Sequence, residues 1–284
     1  MINTINLDKY NLIDTKSTSS KGNQQKWLLD GNWYKADHMG YEALCEVVIS
    51  KLLQKSNVSN FVIYHPIKIE FNDSIFNGCY SKNFRQKDES IITLEHLSKS
   101  WLGNSMAKEL LKYETVGDKI KHTVEFVENV TKLKDVGKYI AMMLELDAFF
   151  LNEDRHTNNI AFILNDKTGE YRFCPYFDFG LSLLADTTED YPLDLDIYKG
   201  IEKIKAKPFS YDFDIQLEAA TKLYGDQLKL SFENSDIENA FDEIKDYYPA
   251  EITARAKNLL YNQKHKYEYM FYKFSENIDC LSYI

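Results

Sequence analysis

Polar and apolar positions divide the chain into a strand-patterned first hundred residues and a helix-patterned remainder. Residues 26–30 (KWLLD) and 33–36 (WYKA) flank Gly31-Asn32, a two-residue turn signal, and predict a hairpin. The preceding TKSTSSKGNQQ is polar throughout and predicts a loop. In GYEALCEVVISKLLQ, Ala43 and Val47 lie one helical turn apart, as do Leu44 and Val48, so this segment predicts the one long helix of the first half. Glu42 and Glu46 are also a turn apart on it. Residues 61–64, 67–71 and 75–81 predict three short strands, with Pro66 breaking the first from the second.

Past Trp101 the pattern predicts helices over 105–113, 118–133 and 136–151. The last carries Ile140, Met143, Leu144, Ala148, Phe149 and Phe150 on most of its faces, which marks it as a central buried helix. Strands over 160–164 and 171–177 flank the turn NDKTGE, and helices follow over 214–224, 236–246 and 251–274. The last of these bears an aromatic-rich stripe, including Tyr267, Phe271 and Phe274, explained by core packing.

Composition narrows the class. At 284 residues and 44% hydrophobic, the chain can bury one or two sizeable cores. It has no apolar run of the roughly 18 residues needed to span a membrane. Its first residues, MINTINLDKYNLID, lack the basic and apolar regions of a signal peptide, so a soluble cytoplasmic protein is expected, with export by a non-classical route as the alternative. Cys45, Cys79, Cys174 and Cys280 are scattered without metal-binding spacing and read as reduced thiols. A net charge of -10 argues against direct nucleic-acid binding, which requires a basic face.

The candidate chemistry lies in two runs. LNEDRHTNNIAFI holds Asp154 and, five residues on, Asn159; YFDFGLSLL holds Asp178. Phosphoryl transfer needs metal ions on the phosphates, a cation, and a carboxylate that orients the attacking hydroxyl. Magnesium takes oxygen ligands, which Asn159 and Asp178 can supply. Asp154, on the same loop as Asn159, is then free to face the acceptor. The predicted hairpin 159–177 would bring Asp154 and Asp178 together at one end.

These runs resemble the catalytic and metal-binding loops of HipA-like serine/threonine kinases: Asp154-Arg155-His156-Thr157-Asn158-Asn159 and Asp178-Phe179-Gly180. SSKGNQQKWLLDGNWYKAD is similar to the family's nucleotide-loop region, with Gly22, Gln24 and Lys26 at its polar positions. The Asp-Arg-His-x-x-Asn loop is also similar to that of phosphatidylinositol 3/4-kinases, whose longer catalytic domain has no counterpart here. The HipA-like resemblance implies an α+β, bilobal protein-kinase-like fold, with a strand-rich N-lobe over 1–84 and a mainly helical C-lobe over 85–284.

The same resemblance implies an ATP- and magnesium-dependent kinase with Asp154, Asn159 and Asp178 in catalysis, the last two on the metal. Lys35 would hold the phosphates and Glu42 would pair with it. Ser81, Lys82 and Phe84 would form the adenine-binding hinge, and Ser20, Gly22 and His156 complete the nucleotide contacts. Only Gly22 stands where protein kinases place several glycines, and Ser19 or Ser20 matches the place of a family autophosphorylation site. The implied partners are a protein substrate, the chain itself among the candidates, and an antitoxin-like protein, although the N-terminal subdomain of longer family members has no match. The competing expectations are a small-molecule or lipid kinase and a pseudokinase interaction module. The retained Asp154, Asn159 and Asp178 oppose the pseudokinase.

Overall fold

The computed structural model describes residues 2–10, 12–13 and 24–271. A five-stranded sheet forms from β1 (Thr4–Asn6), β2 (Lys26–Leu29), β3 (Asn32–Ala36), β4 (His65–Phe71) and β5 (Ser74–Lys82), in the order β1-β4-β5-β3-β2. All neighbours pair antiparallel except β1 and β4. The predicted hairpin forms, but its turn is Asp30-Gly31, because Leu29 pairs with Asn32. Their φ values of 49° and 75° match the twist of a tight two-residue hairpin. Asn72 and Asp73 do the same between β4 and β5, at φ 51° and 58°.

Strand alternation gives this sheet two uses. Tyr34 and Ala36 join Leu7, Trp27, Ile67, Ile69 and Phe71 in a small core on one face. Lys35 turns to the other face, which packs on α1 (Glu42–Leu53). Every residue of α1 is buried except Lys51, so two glutamates are carried into the interior.

The remainder is mainly helical: α2 (Leu94–Leu102), α3 (Met106–Leu110), α4 (Val116–Thr131), α5 (Val136–Phe150), α6 (Ile197–Lys203), α7 (Phe213–Tyr224), α8 (Asn234–Ala240) and α9 (Ala250–Lys266). As its pattern predicts, α5 is central, packed against α4, α7 and α9. A side chain at Gly137 would come within 2.3 Å of the Tyr224 ring, so glycine permits the close approach of α5 to α7. A second sheet, β6-β7-β8, unites β6 (Glu89–Thr93), β7 (Ala161–Asn165) and β8 (Tyr171–Phe173).

Several expectations fail for identifiable reasons. Residues 61–64 form no strand: Val62 N–H donates to Tyr176 O at 3.0 Å and Tyr176 N–H to Asn60 O at 2.9 Å, a single bridge to the helical region. Pro66 lies inside β4, where β1, beginning only opposite Lys68, leaves one side of the strand unpaired. β8 stops at Phe173, and α9 stops at Lys266, short of the expected 274; residues past Phe271 lie outside those described. β1, β6, α2 and α6 were not anticipated. For α2 the signals are present: Thr93 accepts the His96 N–H as N-cap and Gly103 closes the helix at φ 72°. None of the described helices is long and apolar enough to cross a membrane.

Candidate active site

The two halves meet around one ammonium group. Lys35 Nζ lies 2.6 Å from Glu46 Oε1 and 2.8 Å from Asp178 Oδ1, and Tyr64 OH stands 3.4 Å away. Lys26 Nζ approaches the same Asp178 oxygen at 3.9 Å. Burial opposes the charge on Lys35, but Asp178 and Glu46 outweigh it and hold its pKa well above the ordinary value. Burial likewise opposes ionisation of Asp178, yet Lys26 and Lys35 depress its pKa far below the carboxylate range. Asp178 therefore stays an anion throughout physiological pH. It also sits at φ 62°, a left-handed backbone that an aspartate tolerates better than most residues.

The partner of Lys35 is Glu46, which corrects the expectation of Glu42. Besides holding Lys35, Glu46 accepts the Phe179 N–H at 3.0 Å through its other oxygen, tying α1 to the loop that carries Asp178. Glu42, one turn earlier, faces backwards and accepts N–H bonds from His38, Met39 and Gly40 at 3.1, 2.6 and 2.9 Å. That is the ordinary work of a carboxylate at a helix N-terminus. Gly40 is required beside it, since a side chain there would come within 2.0 Å of Ala185 O.

Beneath this site a buried arginine aligns the loops that carry Asp154 and Asp178. Arg155 binds Asp147 of α5 through Nε (2.9 Å to Oδ2) and Nη2 (3.0 Å to Oδ1). Its Nη1 donates to Asn159 O and to Phe177 O, each at 3.0 Å. One nitrogen thus holds the backbone of Asn159 beside that of the residue preceding Asp178. Asn159 Nδ2 donates to Asp154 O at 2.9 Å, which leaves the amide oxygen as the end able to meet a cation. Asn152 completes the loop, donating to Asp147 at 2.8 Å and accepting from Asp154 N–H at 3.2 Å.

Asp154 is flanked by His156 Nε2 at 3.6 Å and Lys207 Nζ at 3.2 Å. Burial lowers the pKa of His156 against the pull of Asp154. The His156 ring stands on this side of the loop, where it lines a groove with Thr157 and Lys207. Ser81 is buried and pairs in register with Trp33, which lies two residues before Lys35 and so on the same face. Trp33 Nε1 donates to Asn83 at 3.3 Å, and the Arg85 guanidinium lies 5.8 Å from its ring. Lys82 points to the opposite face and is exposed, while half-buried Phe84 packs against Phe177 with ring centroids 6.0 Å apart. Ser19, Ser20 and Gly22 lie outside the described residues.

Sequence reasoning missed Asp147, Lys207 and Trp33. Asp147 had a signal: an acid on the buried face of a mostly apolar helix requires partners there. Lys207 had none, being 53 residues from Asp154. A second group of acids, Glu153, Asp186 and Asp190, brings ligand oxygens within 4.8 Å of one another. These acids serve their own loop: Asp186 accepts the Glu189 N–H at 3.0 Å, and Glu153 accepts the Tyr191 hydroxyl at 3.0 Å.

No protein-family model matches the sequence, and no curated protein matches it. Among solved structures the chain is similar to the Helicobacter pylori proinflammatory kinase CtkA, with 15% identity over 93% of this chain and 94% of that one, at a TM-score of 0.59. The two share a mixed α+β fold, strand-rich in its N-terminal part and mainly helical in the remainder. The HipA chain of the Shewanella oneidensis MR-1 toxin–antitoxin complex with HipB and operator DNA aligns less well. It has 13% identity over 89% of this chain and 66% of that one, at a TM-score of 0.48.

Proposed function

We propose that this chain is an ATP- and magnesium-dependent kinase that transfers phosphate to serine or threonine of a protein. The observation that carries the reading is the single ammonium of Lys35 held between Glu46 of α1 and Asp178 at 2.6 and 2.8 Å. Residues 143 apart in the chain converge there on a group suited to triphosphate oxygens. The donor set suits magnesium: Asp178 is held ionised, Asn159 offers an amide oxygen, and Arg155 holds the two loops side by side. The bound cation would neutralise phosphate charge as it shifts between oxygens.

In this reading Lys35 binds the phosphates, and Glu46 keeps it aligned by anchoring both the lysine and Phe179. Trp33 and Ser81, on the face shared with Lys35, border the adenine at the hinge near residue 84, which divides the lobes. Asp154 orients the acceptor hydroxyl and takes its proton as the oxygen bonds to the γ-phosphorus and ADP leaves. Lys207, at 3.2 Å, holds the Asp154 carboxylate in position for the acceptor. Ser19 or Ser20 serves as a self-acceptor in the nucleotide loop.

Labelled ATP incubated with the protein and with a host lysate tests the assignment. Transfer is expected with magnesium, is lost on chelation, and is lost in Asp154→Asn, which retains ATP affinity. Mass spectrometry should find phosphate at Ser19 or Ser20 in the wild type alone. Absence of any transfer from folded, ATP-binding protein would refute the enzyme.

A further inference from the structure

The groove beside Asp154 has a chemistry that the catalytic loops do not explain. It encloses about 680 Å³, within the range of about 300–1,000 Å³ usual for ligand sites. Its floor is apolar, built from Leu110, Val116, Pro208 and Phe209. Leu111 and Tyr211, 82% and 75% exposed, stand at its edges and are the two most exposed large apolar side chains among the described residues. Such side chains in a soluble domain mark a surface that expects a partner.

Charge identifies the partner. Lys108, Lys119 and Lys207 line the groove, and none of its lining residues is acidic. The chain as a whole carries a net charge of -10, so this basic rim departs from the rest of the surface. His156, Thr157 and Lys207 bring the groove to Asp154, with Lys207 Nζ 3.2 Å from Asp154 Oδ1. A segment lying in the groove would therefore present its next residues to Asp154.

We infer that this groove receives the acceptor segment of the protein substrate, and that the segment is acidic with at least one large apolar side chain close to the phosphorylated residue. The inference rests on the kinase reading for the word acceptor, but the binding it describes does not require catalysis. The apolar floor would bury the large side chain, and the lysine rim would pair with flanking carboxylates and steer their approach. A nucleic acid fits less well, because a phosphate backbone needs a broad basic face and the chain carries a net charge of -10.

Two fluorescein-labelled dodecapeptides test this with the full chain, by anisotropy and then as substrates. Each has a central Ser and a nearby Leu; one is flanked by Glu and the other by Arg. The Glu peptide should bind at least about tenfold more tightly, and more weakly as salt rises. Lys108→Glu with Lys119→Glu should reverse that preference, and Leu111→Ser should weaken both peptides. In transfer assays the double variant should raise KM for the Glu peptide and leave kcat and the KM for ATP unchanged. Equal binding of the two peptides, an unaltered preference in the double variant, or displacement by a single-stranded oligonucleotide would overturn the inference. Selective binding without transfer would keep the groove and remove the kinase; transfer without selectivity would do the reverse.

Discussion

Two buried charge clusters lie on either side of the loop that carries Asp178, and they differ in what they leave open. In the lower one, Asp147 and Arg155 are 0% and 1% exposed, and every guanidinium nitrogen is engaged by a carboxylate or a carbonyl. In the upper one, Asp178 is 19% exposed, and two carboxylates share one buried lysine. The lower cluster is closed and balanced, and its product is geometry. The upper one is open on one side, where a cation could reach Asp178. A buried ion pair is a weak source of net stability, but removing one partner is strongly destabilising. The two clusters should therefore respond differently to mutation.

The largest effect should come from breaking the lower pair. Arg155→Met leaves Asp147 buried without a counter-ion and should reduce unfolding free energy by about 3–5 kcal/mol, read from urea denaturation. Asp178→Asn should lower the urea midpoint less, because Glu46 still holds Lys35. It should instead remove magnesium-dependent nucleotide binding and lower transfer by about 10³-fold, roughly 4 kcal/mol. If Asp178→Asn destabilises as much as Arg155→Met, the contrast fails.

Glu145 sharpens the comparison, because it lies on α5 two residues before Asp147 and its burial outweighs the pull of Lys229. Burial raises its pKa to about 7, although Gln227 and Leu228 donate backbone N–H bonds to it at 2.9 and 2.8 Å. The sign follows from the raised value. Between the ordinary 4.5 and about 7 the folded state keeps a proton that the unfolded state has released. Its contribution is complete below about 4.5 and is lost as pH rises through about 7. Stability of the wild type relative to Glu145→Gln should therefore fall by up to about 3 kcal/mol across that window. A flat difference would place the titration elsewhere.

The smallest effect separates the two glutamates of α1. Glu46→Gln should weaken ATP binding about tenfold, roughly 1.4 kcal/mol, by loosening Lys35 and Phe179. Glu42→Gln should leave ATP affinity unchanged, because its oxygens hold only the backbone of residues 38–40. Matching losses of ATP affinity in the two would return Glu42 to the site.

The candidate site was legible where its chemistry depends on short spacing. Asp154 and Asn159 share one loop, and a hairpin returns the chain to Asp178; both facts follow from local periodicity and turn residues. The same holds for α1, the β2–β3 hairpin and the apolar α5. Choosing between Glu42 and Glu46 was not possible in this way, because both lie on one face of one helix. The choice depends on where α1 rests against the sheet, and only packing sets that position.

Local pattern alone determined that the chain carries three oxygen-bearing side chains suited to phosphoryl transfer, ahead of any knowledge of their distances. Tertiary structure decided which glutamate meets Lys35, that Arg155 sits dry between two loops, and that Lys207 reaches Asp154 from 53 residues away. The division has a physical origin. Backbone periodicity and turn conformation are set by neighbours in the chain, whereas the pairing of buried charges is set by which surfaces exclude water together, and that is a property of the assembled fold.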